Sequence, residues 1–139
     1  MPSLEDAIVL ATLAHHGRKD EAGQPYILHP LRVMFRLKTP LERMAGVLHD
    51  ALENSSLSPR DLRKWGYPAE VLAALRVLTP SPRQGFKEYI IAIKKDPLAR
   101  RVKLADLADH LEVLGPDDNP GDRARRERFK KARAFLLGK

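Results

Sequence analysis

Residues 41–54 read LERMAGVLHDALEN, a largely apolar stretch that contains an adjacent His49–Asp50 pair. Because apolar residues flank the pair on both sides, we expect a helix inside the core rather than a surface loop. A buried imidazole and a buried carboxylate cost stability unless partners satisfy them. We predict one helix over residues 41–54, and because Glu53 follows His49 by four residues, both lie on the same face of that helix. The stretch predicts a pair of metal ligands with a further carboxylate one turn away.

The composition is that of a globular protein. The chain has 139 residues, of which 43% are hydrophobic and 31% are charged, and we expect residues 1–139 to form a single domain. The absence of cysteine excludes disulfides, thiolate zinc sites and thiol catalysis. No apolar run is long enough to span a membrane, and the first residues lack a signal-peptide pattern, so we expect a cytoplasmic protein.

The positive charge is concentrated at the end of the chain. The formal net charge is +7, and residues 121–139 alone carry eight Lys or Arg against two acids. Such a segment has the charge of a nucleic-acid-binding surface. The alternative is a solvated helix face, because Phe129, Ala132 and Leu136 form an apolar stripe between the charges. We favour the solvated face and expect no nucleic-acid partner, because no nucleic-acid motif accompanies the charge.

Nearly every segment of the chain has helical spacing. Capping residues and breakers divide it into consecutive helices: Ser3 to about His16, a start near His29, a start at Thr39–Pro40, Ser58 to Trp65, a start at Pro68, Phe86 to Lys95, Asp96 to about Val113, and a terminal helix after a loop over residues 115–121. No alternating run is long enough to predict a sheet. The fold class we predict is an all-α, single-domain bundle of about seven or eight helices.

A first cluster of chemically active residues is HHGRKDEAGQPYILHP, residues 15–30. His29 precedes a proline at a helix start, and Arg18 and Lys19 lie in the preceding loop. Two basic residues in a loop that leads to a buried histidine predict an anion-binding rim. The alternative is a pair of solvated surface charges.

A second cluster is VKLADLADH, residues 102–110, in which Asp106 lies among apolar residues. Asp109 and His110 follow on the same helix face. A carboxylate in that setting needs a partner. The alternative to a functional role is a core acid paired with the basic residue at 101 or 103.

Together, His29, His49, Asp50 and Asp106 supply two imidazoles and two carboxylates. A mixed nitrogen and oxygen set suits Mn, Fe, Mg or Zn and differs from a thiolate structural site. Such a metal activates water for attack on phosphorus in an ester or an anhydride.

The order of motifs HGRKDEAGQPYILHP, VLHDALEN, KWGYPAEVLAALRVLT and VKLADLADHL resembles that of the HD-domain phosphohydrolases. The chain is most similar to the small alarmone hydrolases, single-domain relatives of the bifunctional RelA/SpoT enzymes, and the resemblance extends from about residue 5 to 135. It implies an HD-domain helical bundle, a mononuclear Mn²⁺ site, although another divalent metal is possible, and removal of the 3′-pyrophosphate of (p)ppGpp.

The resemblance also implies roles for single residues. By motif, the metal ligands are His29, His49, Asp50 and Asp106; the first member of a Glu-Asp catalytic pair is Glu53; the basic pair that contacts the substrate is Arg18 and Lys19; and the residue that shapes the pocket is Tyr26.

Two positions depart from the family pattern. Asn54 occupies the place of an aspartate in the catalytic pair, and His110 occupies the place of an asparagine near the sugar and phosphate. Both departures fall in the substrate half of the site. We therefore expect Asn54 to act beside Glu53 and His110 to contact substrate, in a hydrolase that is slower than its relatives or differently tuned.

The sequence leaves three functions open. The main prediction is a Mn-dependent phosphohydrolase whose partner is a small nucleotide, (p)ppGpp. The second is an HD phosphohydrolase of another nucleotide, such as a phosphatase acting on NADPH. The third is a degenerate HD module that binds a nucleotide or nucleic acid without turnover, through Arg18, Lys19 and the basic tail. The sequence predicts no oligomeric state.

Overall fold

A computed structural model describes residues 1–114 and 119–139 of the chain. These residues form eight helices: α1 (Leu4–His15), α2 (Leu28–Phe35), α3 (Pro40–Leu48), α4 (Pro59–Lys64), α5 (Ala69–Leu78), α6 (Phe86–Lys94), α7 (Pro97–Leu114) and α8 (Pro120–Leu136). The all-α prediction is confirmed. Most of the loop predicted over residues 115–121 lies outside the described residues.

The helix starts follow from local capping chemistry. The Ser3 hydroxyl accepts a hydrogen bond from the Asp6 amide, and the Asp6 carboxylate accepts one from the Ser3 amide. Ser58 and Asp61 form the same reciprocal pair at the start of α4. These bonds satisfy amide groups that the first helical turn leaves unpaired.

The predicted extent of the central helix is wrong, because α3 ends at Leu48 and residues 49–53 form consecutive turns. Beyond Leu48, the Asn54 side-chain amide donates to the Asp50 carbonyl and the Ser55 hydroxyl donates to the Ala51 carbonyl. Side chains thus occupy carbonyls that a continuing helix would pair with backbone amides. The prediction that His49 and Glu53 share one helix face is therefore also wrong, because both residues follow the end of α3.

The core is one cluster of buried apolar side chains to which all eight described helices contribute. On α8, Ala132 and Leu136 are buried and Phe129 packs against the cluster, while most of the basic residues of the helix are exposed or half-buried. The apolar stripe of the terminal helix is therefore a packing face. The absence of a nucleic-acid partner stays a prediction, as does the single domain over residues 1–139.

Helix α3 lies among α1, α2, α5 and α7. At Gly46, a Cβ atom would lie 2.5 Å from the Leu37 Cδ1 atom and 3.7 Å from the Met34 Cα atom. The glycine therefore lets α3 approach α2 closely. This approach brings the His49–Asp50 pair, which directly follows α3, beside the start of α2.

In the described part of the chain the only extended pairing is an isolated antiparallel bridge between Lys19 and Pro25. The Tyr26 amide donates to the Arg18 carbonyl, so the loop between α1 and α2 folds back on itself. None of the described helices has both the length and the apolar character that a membrane span requires.

Candidate functional site

The chemically active residues converge from three helices. His29 lies in the first turn of α2, the His49–Asp50 pair directly follows α3, and Asp106 lies within α7. His29, His49 and Asp106 are buried, with exposed fractions of 6%, 4% and 2%. The structure thus brings together the four residues that the sequence predicts as metal ligands.

The two imidazoles of the cluster lie between two carboxylates. Asp106 Oδ1 lies 2.9 Å from His29 Nε2 and 3.1 Å from His49 Nε2. Asp50 Oδ2 lies 3.3 Å from His49 Nε2 and 3.8 Å from His29 Nε2. One ligand atom each from His29, His49 and Asp106 lies within 4.8 Å of the other two, so these three residues form a group able to hold a metal ion.

Fixed hydrogen bonds orient both imidazoles. His49 Nδ1 lies 2.6 Å from the Gly46 carbonyl oxygen, and because a carbonyl oxygen only accepts, Nδ1 carries the proton. His29 Nδ1 lies 2.7 Å from Asp109 Oδ2. In each neutral ring the Nε2 lone pair therefore faces the shared centre, which is the arrangement found in histidines that ligate metals.

A largely buried lysine, Lys103, neutralises Asp106. Lys103 Nζ donates to Asp106 Oδ2 over 2.9 Å. The alternative prediction, a core acid in a salt bridge, therefore holds for this oxygen, while Oδ1 faces the histidines. Burial opposes ionisation of Asp106, but Lys103 and the histidines His110, His29 and His49 hold its pKa well below the usual range. Asp106 is thus an anion with Oδ1 available to a metal.

Asp50 and His49 are each tuned by neighbours. The Tyr26 hydroxyl donates to Asp50 Oδ2 over 2.7 Å, and burial together with Asp50 raises the pKa of Tyr26, which keeps the hydroxyl protonated. Burial lowers the pKa of His49, but Asp50 and Asp106 outweigh it and raise that pKa to about 9. In the absence of a metal, a protonated His49 therefore supplies positive charge between the two carboxylates, and a metal cation at the same place would take over that charge.

The residues fit a divalent metal. Two imidazole nitrogens with fixed tautomers and two carboxylates, one of them already paired with Lys103, make a mixed donor set. Such a set suits Mn, Fe or Zn, and Mg less well because Mg prefers oxygen ligands. Nothing in the set selects one of these metals.

A cavity of about 490 Å³ opens beside the cluster. Its wall contains Arg18, Lys19, Asp20, Glu21, Ala22, Tyr26, His29, Arg32, Asp109, His110, Val113, Leu114, Asp122 and Arg125. The wall thus includes all four residues predicted to bind substrate, and His29 belongs both to the wall and to the metal cluster. A cavity of this size accommodates a nucleotide-sized ligand.

Arg18 and Tyr26 are held together at the cavity wall. The Arg18 guanidinium lies over the Tyr26 ring, 4.4 Å from its centroid, and Arg18 Nη1 lies 3.3 Å from His15 Nδ1. Lys19 is exposed in the folded-back loop. Carboxylates share this wall, because Arg125 Nη1 lies 3.5 Å from Glu21 Oε1. The predicted cationic rim is therefore part of a wall of mixed charge.

His110 joins the metal centre to the cavity. Its Nε2 lies 3.2 Å from Asp106 Oδ1, and its ring stacks on Phe129 of α8 with centroids 5.4 Å apart. The His110 side chain is about one-third exposed at 36%. It is thus a third imidazole at the same carboxylate oxygen and the one that is open to a ligand in the cavity.

Glu53 and Asn54 lie apart from this arrangement. Glu53 is exposed, lies in the turn after α3, and has no hydrogen bond or ion pair to any described residue; it is absent from the cavity wall. Asn54 is half-buried, and its side-chain amide donates to the Asp50 carbonyl over 3.0 Å. The structure thus gives Asn54 a role in holding the turn that carries Asp50.

Three residues of the site have no predicted role. Asp109 and Arg32 form a pair against His29, and the buried His15 lies against Tyr26 with ring centroids 4.9 Å apart. Burial lowers the pKa of His15 to about 4, so its ring is neutral. The sequence signal for Asp109 is its position three residues after Asp106, on the same helix face; nothing local signals Arg32.

A second, apolar cavity of about 350 Å³ lies between α6 and α8. Its wall includes Phe86, Ile90, Ile91 and Phe135, and it contains none of the residues predicted to bind metal or substrate. The chemistry of the molecule is therefore concentrated at the cavity beside His29.

Comparisons with known proteins give a consistent result. The chain is 29% identical over 126 residues to the bifunctional (p)ppGpp synthase/hydrolase SpoT of Escherichia coli K12. It is 28% identical over 127 residues to the guanosine-3′,5′-bis(diphosphate) 3′-pyrophosphohydrolase of Vibrio cholerae. Each match covers 81% of the chain and 18% of the relative. The chain therefore spans under one-fifth of the length of these relatives. No protein-family model matches the chain.

The solved structure of a metazoan ortholog of SpoT, described as hydrolysing ppGpp, matches with a TM-score of 0.78 and 25% sequence identity. The match covers 99% of this chain and 87% of that one. The chain is a relative of the HD-type (p)ppGpp hydrolases. The resemblance predicted from the motifs is thereby confirmed, together with the helical HD-domain fold.

Proposed function

We propose that this relative is itself a Mn²⁺-dependent hydrolase that removes the 3′-pyrophosphate of (p)ppGpp. The observation that carries the proposal is the position of His29, which is shared by a buried His/Asp cluster and by a cavity lined with Arg18 and Lys19. A metal site alone or a basic cavity alone has many uses. Their junction at one side chain suits hydrolysis of a phosphorylated ligand.

His29, His49, Asp50 and Asp106 would hold the metal, since their donor atoms converge on one centre. When bound, a divalent ion there supplies Lewis-acid activation of water and neutralises the charge of the phosphates. The remaining work belongs to the protein: Lys103 keeps Asp106 anionic, and Tyr26 holds Asp50 Oδ2 in place.

The cavity residues orient the substrate. Arg18, braced by the Tyr26 ring, and Lys19, on the exposed loop, donate to phosphate oxygens beside His29. His110, whose ring is held against Phe129 and lies beside His29, contacts the sugar or the phosphate. Holding the pyrophosphate next to the metal ligands favours attack by water at that group.

Glu53 is assigned the proton transfer, because it is the unliganded carboxylate in the LHDALEN motif. Water attacks the phosphorus bound to the 3′ oxygen, the bond between that phosphorus and the 3′ oxygen breaks, and ppGpp yields GDP and pyrophosphate. Glu53 accepts the proton of the attacking water or donates one to the leaving 3′ oxygen. Asn54 cannot exchange a proton at neutral pH, but its amide oxygen still accepts a hydrogen bond from a water or a hydroxyl.

A substrate panel tests the proposal. Metal-stripped protein is incubated with ppGpp, pppGpp, NADPH and common nucleotides, with and without added Mn²⁺, and the products are separated by ion-exchange chromatography. The expected result is Mn²⁺-dependent conversion of ppGpp to equal amounts of GDP and pyrophosphate. Turnover of NADPH or another nucleotide in place of ppGpp would overturn the substrate, and turnover of none would overturn the enzyme assignment.

A further inference from the structure

Asp109 is a buried carboxylate for which the metal cluster alone gives no role. It lies on α7, three residues after Asp106, and is 1% exposed. Burying a carboxylate is costly unless hydrogen bonds and opposite charge compensate it. Asp109 is absent from the group of residues able to hold the metal, so its placement requires a different explanation.

Both oxygens of Asp109 are occupied by side chains from α2. Oδ2 lies 2.7 Å from His29 Nδ1 and 3.1 Å from Arg32 Nη2, and Oδ1 lies 2.8 Å from Arg32 Nε. The Arg32 guanidinium is a permanent cation that contacts both oxygens, so it compensates a negative charge on the buried carboxylate. Asp109 is therefore an anion that accepts from the nitrogen of His29 that faces away from Asp106.

This contact fixes the His29 ring. With Nδ1 donating to Asp109, Nε2 is the nitrogen that faces Asp106, and the ring cannot rotate without breaking the bond. An anionic acceptor at Nδ1 also makes Nε2 a stronger donor to a metal. Because Asp109 acts through His29 and does not reach the metal cluster, it is a positioning residue.

Arg32 connects the same carboxylate to the cavity. Its side chain lines the cavity wall and is 41% exposed, although Nε and Nη2 are paired with Asp109. A guanidinium has five N–H donors, so further donors remain for a ligand. Asp109 holds the guanidinium in one orientation, which lowers the entropy lost when it binds a phosphate.

We propose that Asp109 positions the metal ligand His29 and, through its contacts with Arg32 Nε and Nη2, holds Arg32 as a phosphate-binding residue of the cavity. The proposal rests on the proposed function, which identifies the bound groups as a divalent metal and a phosphorylated nucleotide. One buried carboxylate thereby joins the metal side of the site to the substrate side.

The first test measures metal affinity without nucleotide. Metal-stripped native protein, Asp109→Asn and the control Arg101→Gln are titrated with Mn²⁺, and free Mn²⁺ is followed by electron paramagnetic resonance. Arg101 is an exposed α7 residue whose ion pair with Glu42 spans 3.8 Å. Asp109→Asn should bind Mn²⁺ about 10- to 100-fold more weakly, and the control should match the native protein.

The second test measures phosphate binding on the metal-free protein, with inorganic pyrophosphate as the probe. Arg32→Gln should weaken pyrophosphate binding about 10-fold or more, because a charge-assisted contact is lost, and should leave Mn²⁺ affinity within a few-fold of native. Arg32→Lys, which keeps the charge but not the paired donors, should recover part of the loss. If ppGpp is a substrate, KM should rise for Arg32→Gln while kcat stays nearly constant.

Circular dichroism verifies that each variant is folded. Native-like Mn²⁺ affinity in folded Asp109→Asn would overturn the positioning role, and native-like pyrophosphate binding in Arg32→Gln would overturn the phosphate role. If Asp109→Asn does not fold, pyrophosphate binding by Arg32→Gln, a substitution at a half-exposed position, is the result that supports or overturns the proposal. Neither titration uses a nucleotide, so the loss of the ppGpp assignment would leave both results interpretable.

Discussion

Lys103 Nζ lies 2.9 Å from Asp106 Oδ2, while Asp106 Oδ1 faces His29 and His49. The two residues are separated by less than one helical turn, and both side chains are largely buried. One carboxylate thus has an oxygen committed to a permanent cation and an oxygen turned to the candidate metal. Lys103 therefore pairs with the Asp106 oxygen that faces away from the two histidines.

Replacement of the lysine tests the pair. Lys103→Met keeps the apolar stem but leaves the Asp106 charge without its partner, and we expect the free energy of unfolding to fall by about 3–5 kcal/mol. Urea unfolding of the metal-free protein measures the change, with the exposed Lys95→Met as a matched control. Equal free energies of unfolding for the two variants would show that the Lys103–Asp106 pair does not stabilise the fold.

The cavity rim is tested by removal of its charges. We expect Arg18→Ala/Lys19→Ala to raise KM or lower kcat/KM for ppGpp by about 10- to 100-fold, because charge-assisted contacts to phosphate are lost. Metal content should stay native, since neither side chain contacts the cluster ligands in the described residues. Arg83→Ala, outside the cavity wall, is the control. Unchanged kinetics would identify the pair as solvated surface charges.

Glu53, the residue proposed to transfer the proton, is exposed and lies outside the cavity wall. If it transfers the proton, Glu53→Gln should lower kcat by about 10²–10⁴-fold with native metal content. Glu127→Gln, at another exposed position, is the matched control. Retention of native kcat in Glu53→Gln would show that Glu53 does not transfer the proton and that a residue of the cavity wall does.

Asn54→Asp separates a structural effect from a catalytic one. An aspartate lacks the N–H that donates to the Asp50 carbonyl, so the free energy of unfolding should fall by about 0.5–1.5 kcal/mol. If ppGpp is the substrate, hydrolysis should nonetheless rise, since the variant restores the Glu-Asp pair of the family. Absence of ppGpp hydrolysis in this variant, with good turnover of another nucleotide by the native protein, would refute the alarmone assignment.

The helix starts and the metal cluster could be predicted from the sequence because their signals are local or carried by motifs. Ser3 and Ser58 cap helices through residues three positions away, which spacing alone reveals. His29 and Asp106 are far apart in sequence, and it is the order of the motifs that predicts their meeting.

The end of α3 and the Asp109–Arg32 pair could not be predicted. Helical spacing continues past Leu48, but side-chain hydrogen bonds from Asn54 and Ser55 take the carbonyls that a longer helix would use. The Asp109–Arg32 contact joins α7 to α2 and depends on the packing of two helices, which periodicity does not encode. The helix-face assignment of Glu53 failed for the first of these reasons.

The central claim is that one divalent ion, held by His29, His49, Asp50 and Asp106, enables hydrolysis of ppGpp. The most direct measurement is the rate of pyrophosphate release from ppGpp as metal-stripped protein is titrated with Mn²⁺. We predict that the rate rises up to one equivalent of Mn²⁺ and then levels off, and that His49→Ala and Asp106→Ala stay inactive while the exposed His16→Ala matches the native protein. Equal pyrophosphate release without metal, or none at saturating Mn²⁺, would contradict it.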